Sequence, residues 1–378
     1  MSMGISMSFG LGLGLLTGLT LHGGADDAGP IAWDFSTNAN PLALPAHLIQ
    51  ALADTNRRHY PDPAYTALRE RLAHAQGLSV QRMVPTAGSS EGIRRLTLAA
   101  SLLGVREVWV PEPGYGDYRA AAQALGLSVK AHAQGGSEVP VAANAEPCLV
   151  WWCDPCNPTG TYRGAGLQAA MQAMLAQRPQ AIFALDRAYE ALVLTAGLAP
   201  LPPAWLDRCW QLCSPNKALG LTGVRAGWLV APQLEPAQPP GLQITTGQLQ
   251  TLAPSWVLSA EGVSMLMHWH DDATQQWLEP CRRTLAQWRD QQQAMLRGWG
   301  WWVQASDTPF FLAQPAGWHP DALRGALQTW RQDGLKLRDT SSLGLPNGWR
   351  LSTQHPEAQA ALQQAWWRLS DASPTTGT

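Results

Sequence analysis

The chain has 378 residues but only three lysines, Lys130, Lys217 and Lys336, so chemistry that needs a lysine amine has three candidates. Lys217 stands in Ser214-Pro-Asn-Lys-Ala-Leu-Gly-Leu-Thr-Gly-Val-Arg225, after a strand candidate and before a glycine-punctuated turn. A lysine at a strand end, with a hydroxyl and a guanidinium close in sequence, suits a Schiff base to a phosphorylated aldehyde. The amine bonds the aldehyde carbon, while Ser214 and Arg225 hold the phosphate.

An aromatic aldehyde of this kind works as an electron sink only if its ring nitrogen stays protonated, which calls for a carboxylate. Asp186, at the end of the apolar run Ala181–Leu185, is placed for that. Tyr189 lies three residues on, and Asn157 opens Asn-Pro-Thr-Gly after Cys148–Cys153; both can bond a ring hydroxyl. The turn Thr86-Ala-Gly-Ser-Ser-Glu91 opens a helix, where free backbone amides suit a phosphate. Tyr115, after Glu107–Gly114, offers an aromatic face for stacking. Each residue also has an ordinary reading: Lys217 as a surface loop lysine, Asp186 as a turn or cap residue, Asn157 as part of a simple turn.

Other groups carry less. Cys153 and Cys156 form a lone CxxC with no second pair and no histidine at ligand spacing, so no metal site is expected. His268 and His270 sit two apart on an expected helix and point to different faces. The six cysteines do not read as a disulfide framework in a chain large enough to build its own core. Net charge is −2, which argues against nucleic acid as a partner. The 19 tryptophans have no functional explanation at this level.

The candidate residues need elements to place them. Short apolar runs at Glu107–Val110, Cys148–Cys153, Ala181–Leu185, Trp210–Cys213 and Ala226–Val230 read as strands. The Ala/Leu/Gln-rich stretches Tyr118–Leu125 and Ala165–Ala176 read as helices between them. That alternation predicts an α/β fold: a large domain on a mainly parallel sheet, with a smaller α+β domain at the C-terminal end. Ligands in such sheets bind beyond the carboxyl ends of strands, where the polar turns lie. Expected boundaries are an extension over 1–21, an irregular segment over 22–47 packing on the small domain or a partner, the large domain over 48–254, a long helix and small domain over 255–371, and a tail over 372–378. The uncharged stretch 1–21 lacks the basic start of a secretory signal and is too glycine-rich for a membrane span. It reads as a disordered extension, or as residues ahead of the true start. A cytoplasmic protein without membrane contact is expected.

In order, the chain carries AGSSE, PEPGYGDY, NPTG, DRAYE, SPNKALGLTGVRAGW and GWRLS. This series resembles the class I/II aminotransferase family of fold-type I pyridoxal phosphate enzymes, over about His22 to Ser370. The resemblance implies pyridoxal 5′-phosphate as cofactor, with Lys217 as its Schiff-base lysine and Asp186 as partner of its ring nitrogen. It implies Asn157 and Tyr189 on the ring oxygen, Tyr115 on the ring face, and Ser89, Ser90, Ser214 and Arg225 on the phosphate. It further implies that Tyr60 reaches the phosphate of a neighbouring subunit, hence a homodimer, and that Arg350 clamps a substrate carboxylate. Two departures are Arg187, where the family has Glu, and Cys156, where many members have Asn.

The opening His22-Gly-Gly24, followed by Asp34-Phe-Ser-Thr-Asn-Ala-Asn-Pro-Leu42, resembles the threonine-phosphate decarboxylase and cobalamin-biosynthesis branch of that family. The branch implies a small phosphorylated amino acid as substrate, with Arg338 on its phosphate, His22 assisting and Asn157 also near the substrate. The expected reaction is decarboxylation of L-threonine O-3-phosphate. The alternative is amino transfer of the histidinol-phosphate type.

Overall fold

The computed structural model describes residues 22–133, 146–233 and 242–372. The extension over 1–21, most of the proline-rich 231–241 segment and the tail beyond Ala372 lie outside the described residues.

The chain opens with a short strand β1 (Trp33–Asp34), then helices α1 (Ala46–Ala53) and α2 (Thr66–Gln76). An alternating series follows: β2 (Met83–Thr86), α3 (Ser89–Leu102), β3 (Glu107–Pro111), α4 (Gly116–Ala124), β4 (Ser128–His132), β5 (Cys148–Cys153), α5 (Leu167–Gln177), β6 (Ile182–Asp186), α6 (Pro203–Leu206), β7 (Cys209–Cys213) and β8 (Gly227–Val230). Helices α7 (Thr246–Thr251), α8 (Ala260–Trp269) and α9 (Asp272–Gly298) lead to β9 (Trp301–Val303), β10 (Phe310–Pro315), α10 (Pro320–Gln332), β11 (Leu335–Lys336), β12 (Arg338–Asp339), β13 (Trp349–Ser352) and α11 (Pro356–Ala372). Ala372, expected in the tail, is still helical.

Strands β2-β8-β7-β6-β5-β3-β4 form one sheet in that order, with β8 alone running against its neighbours. The reversal is local. Parallel neighbours need a crossover, whereas β7 returns into β8 through the Ser214–Ala226 turn, which a reversed strand permits. Lys217 is thereby held at the carboxyl end of β7.

Side-chain alternation along β5 builds both faces of this sheet. Leu149, Trp151 and Cys153 pack with α3 and α4 through Ile93, Leu96 and Tyr118. Cys148, Val150 and Trp152 pack with α5 through Leu167, Met171 and Met174. A strand buried at all six positions is what a sheet covered on both faces requires. Gly92 lets α3 approach: a Cβ there would lie 2.8 Å from Leu212 Cδ1.

A second sheet, β12-β13-β10-β9, is antiparallel, and β1 pairs with β11 beside it. Its core is built of tryptophans: Trp366 contacts Trp299, Trp301, Trp318 and Trp330, and Trp349 contacts Trp301 and Trp330. Much of the unexplained tryptophan content is therefore core. Truncating such a ring to alanine costs about 3–5 kcal/mol.

The long helix expected at the start of the 255–371 region is broken in two. Ser259 caps α8 by accepting from the Gly262 amide at 3.1 Å, so helix begins only there. At His270 and Asp271 the chain turns. Asp271 accepts from Arg71 Nη2 at 2.6 Å and pairs with His268 Nδ1 at 2.7 Å, while Thr274 Oγ1 donates to the His268 carbonyl at 2.9 Å, which also accepts from the Asp271 amide. These side-chain bonds replace the backbone bonds that a continuous helix would keep.

Candidate active site

The turns leaving β2, β3, β5, β6 and β7 meet at one edge of the seven-stranded sheet, around a cavity of about 400 Å³. The residues expected to bind cofactor or substrate all line it except Ser214 and Tyr60. The Ser214 hydroxyl is buried behind the wall, donating to Ala226 O at 3.2 Å and Asn216 Oδ1 at 2.9 Å. Tyr60 is 75% exposed and stacks on Trp256, ring centres 4.1 Å apart.

The floor is formed by residues that strand ends project. Asp186 is the last residue of β6 and is fully buried. Its Oδ2 accepts from the Tyr118 hydroxyl at 2.7 Å and its Oδ1 from the Ala188 amide at 2.9 Å. Burial pushes its carboxyl pKa up, and these two bonds oppose the shift. Among the described residues Lys217 Nζ has one weak hydrogen bond, to Asn216 Oδ1 at 3.5 Å, and it lies 5.3 Å from the centre of the Tyr189 ring. Burial lowers its ammonium pKa, with the Asp186 charge acting against that. A lysine so placed is more often a free amine than one in water.

At the start of α3, Gly88 has φ +84°, and a Cβ there would meet Arg225 Nη2 at 2.8 Å. The backbone conformation favours glycine, and the missing side chain leaves room for the guanidinium against it. The neighbouring Ser89 hydroxyl is buried with no hydrogen-bond partner among the described residues. Unpaired helix amides, an orphaned hydroxyl and a guanidinium form a cradle with anion-binding chemistry, and it fits a phosphate. Above it, the Tyr115 hydroxyl bonds Asp117 Oδ2 at 3.0 Å and Ser90 Oγ at 3.2 Å.

The wall comes from elsewhere in the chain. Arg338 and Arg350 are direct partners across β12 and β13, so both side chains share one face. Both are more than 90% buried and both line the cavity. Arg350 Nη1 donates to Asn157 Oδ1 at 2.7 Å and Nη2 to the Ser36 carbonyl at 2.5 Å. Arg338 Nη2 donates to Ser342 Oγ at 2.6 Å. Burial, with Arg338 close by, weakens the charged form of Arg350.

The N-terminal segment completes the wall. His22 Nε2 lies 3.4 Å from Asp117 Oδ1, and Gly23, Gly24 and Ala25 line the cavity beside it. Asp26 pins this segment to the far side, 2.6 Å from Arg331 Nη2 and 2.6 Å from Lys336 Nζ.

Sequence reasoning missed Ser36, Thr37 and Asn38 in the wall and Asp117 and Tyr118 behind the floor. A signal existed for the first group. Asp34 is followed by Ser and Thr, and its carboxylate accepts from both of their amides and both hydroxyls, at 2.6–3.2 Å. That is the pattern of an Asx turn. Of the family departures, Arg187 bonds Gln211 and Glu190 rather than facing the cavity. Cys156 places its thiol on the Pro113 carbonyl. No cluster of three or more His, Cys, Asp or Glu suited to a metal occurs among the described residues.

A lysine, a carboxylate and an anion cradle at the carboxyl edge of a mainly parallel sheet define a fold-type I pyridoxal phosphate site. The family model for aminotransferase class I and II matches residues 30–361, and the chain belongs to that family, whose cofactor is pyridoxal phosphate. Histidinol-phosphate aminotransferase 1 of Burkholderia lata is 30% identical over 215 residues, covering 54% of this chain and 58% of that protein. The chain thus spans little more than half of that relative. Among solved structures, L-threonine-O-3-phosphate decarboxylase from Porphyromonas gingivalis aligns with a TM-score of 0.72 at 21% identity, over 89% of this chain and 99% of that one. Histidinol-phosphate aminotransferase from Sinorhizobium meliloti, solved with pyridoxal-5′-phosphate, aligns with a TM-score of 0.71 at 19% identity, over 91% and 92%. At these identities the likeness shows the fold. No helix among the described residues is long and apolar enough to cross a membrane.

Proposed function

We propose that the protein decarboxylates L-threonine O-3-phosphate to (R)-1-aminopropan-2-ol phosphate and CO2, in cobalamin biosynthesis. One observation carries the substrate class. Arg338 and Arg350 stand directly opposite each other across two strands, both buried and both facing the cavity. Like charges in that register destabilise a sheet unless something anionic lies against them. The partners of Arg350 are neutral oxygens. A substrate with a carboxylate and a phosphate supplies one anion for each guanidinium.

Bound pyridoxal phosphate supplies an electrophilic aldehyde and a conjugated ring that accepts an electron pair from Cα. In this reading the chain's own groups have separate tasks. Arg225, Ser89, Ser90 and the first amides of α3 hold the cofactor phosphate, and Ser214, behind the cavity, braces the turn that carries Lys217. Asp186 faces the ring nitrogen, Asn157 and Tyr189 the ring hydroxyl, and Tyr115 the ring face. Lys217, whose charged form burial disfavours, is the nucleophile and afterwards the proton carrier. Arg350 takes the substrate carboxylate, while Arg338 and His22 take the substrate phosphate. Asn157, bonded to Arg350, joins the substrate and cofactor sets. The tilt that the two arginines impose on the substrate decides which Cα bond breaks. Tyr60, exposed in a single chain, would serve the phosphate of a partner in a cytoplasmic homodimer; sedimentation that found a fully active monomer would remove that role.

The second reading is a histidinol-phosphate-type aminotransferase using 2-oxoglutarate and glutamate, which the name of the Burkholderia lata relative favours. Both readings use the same cofactor residues. Incubation with L-threonine O-3-phosphate separates them: CO2 release with little glutamate formed is expected. Rapid glutamate formation from histidinol phosphate and 2-oxoglutarate, without CO2 from the threonine derivative, overturns the decarboxylase.

A further inference from the structure

A carboxylate as deeply buried as Asp186 tends to take up a proton and become neutral. A neutral acid cannot pair with a protonated ring nitrogen. Something in this chain must oppose that tendency. The groups facing Asp186 are Tyr118 and Asp117 from α4, Cys153 from β5, Ala188 and Tyr189 beyond β6, and Lys217 from the β7–β8 turn. Asp117 is repulsive. Lys217 is attractive only when protonated, and the proposed reaction uses its neutral amine. Cys153 and Tyr189 are neutral acids that burial makes weaker still. Two groups remain as hydrogen-bond donors to the carboxylate among the described residues: the Ala188 amide at 2.9 Å and the Tyr118 hydroxyl at 2.7 Å.

We infer that Tyr118 is a positioning residue for Asp186, whose hydroxyl holds the carboxylate ionised and fixed in orientation at the cavity floor. The side chain is built for this. Tyr118 is fully buried, stacked on Trp151 with ring centres 5.0 Å apart and planes 17° apart, and edge-on to Tyr115 at 5.7 Å. Two aromatic contacts thus fix the ring, and with it the hydroxyl. Burial and the Asp186 charge push its phenol pKa well above the ordinary value, so it stays a donor at every working pH. The Ala188 amide holds one carboxylate oxygen and Tyr118 the other, so the group cannot rotate without losing a bond.

The inference rests on Asp186 serving the ring nitrogen, and the test separates the two ideas. Apoprotein is titrated with pyridoxal phosphate and with its 1-deaza analogue, which has CH in place of the ring nitrogen. The ratio of the two dissociation constants reads the Asp186 contact without turnover. Asp186→Asn should abolish the preference for the natural cofactor. Tyr118→Phe keeps the stacked ring and should lower the preference roughly ten- to hundredfold, the worth of one hydrogen bond to a charged group. Thermal melting near that of the parent chain shows that the variant is folded. Tyr118→His, which restores a donor on a ring, should recover part of the preference and serves if the Phe variant does not fold. If Asp186→Asn loses the preference while Tyr118→Phe keeps it within twofold, Tyr118 is only packing and the inference fails. If Asp186→Asn keeps it, the role assigned to Asp186 fails first.

Discussion

The floor and the wall of the cavity are built in different ways. Floor residues sit on or just beyond the strands that hold them: Asp186 ends β6, Lys217 follows β7 by four residues, and Ser89 begins α3 directly after the β2 turn. Wall residues come from opposite ends of the chain. Arg350 donates to the carbonyl of Ser36, 314 positions away, and Asp26 pairs with Arg331 across 305. The floor is a set of local strand-to-turn structures that one sheet brings into line. The wall forms when β1 pairs with β11, and the pairing of Asp26 with its two cations latches the N-terminal segment onto it. A site built this way can keep one cofactor chemistry on the floor while substrate choice is made by the wall.

If that division holds, substitutions should sort into two kinds. The largest effect is expected on the floor. Lys217→Ala removes the nucleophile, and turnover should fall by more than about 10⁴-fold. Borohydride should then fail to fix the cofactor to the chain. A reduced adduct found instead on Lys130 or Lys336 would break the assignment of the floor.

Next comes the wall. Arg338→Ala should raise KM for L-threonine O-3-phosphate roughly ten- to hundredfold, with little change for unphosphorylated threonine. Equal losses on both substrates would mean that Arg338 does not read the phosphate. Arg350→Ala should weaken both substrates alike, because both carry the carboxylate. Cofactor affinity should hold in both variants, and a loss there would blur the boundary between floor and wall.

The smallest effect is expected at Asp26. Arg331 and then Lys336 hold its carboxyl well below the usual carboxylate range. Its folded pKa is lowered, so the latch is complete above the ordinary carboxylate pKa and lost only as pH falls through the lowered value. KM should therefore show no latch-dependent change between about pH 5 and 8. Asp26→Asn should raise KM roughly two- to fivefold, the scale of an exposed ion pair. The parent KM should climb with added salt more than that of the variant. A KM indifferent to both the substitution and salt would mean that the N-terminal segment closes the cavity without its latch.

Lys217, Asp186, Asn157 and Tyr115 are legible because each follows an apolar run. A strand in a covered sheet must be apolar, and its carboxyl end must deliver a polar turn to one edge. The strands Cys148–Cys153 and Glu107–Pro111 fall within a residue of their expected bounds for the same reason. β2 and β4 were not expected. β2 is only four residues long and contains Pro85, and β4 is an edge strand with three of its five residues exposed, so neither carries a strong apolar signature.

By itself, the sequence determined the parallel-sheet class, the cofactor and the residues at the strand ends, since these follow from short-range pattern. It also marked Asp34–Leu42 as distinctive without saying why. Tertiary structure alone decided that Arg338 faces Arg350, that Ser36 meets Arg350, that Tyr118 reaches Asp186 and that Ser214 lies behind the cavity rather than on it. Those pairings depend on strand register and on the closing of long loops. A shift of one residue turns a strand's side chains to the opposite face, and no local pattern states which distant strand will be the neighbour.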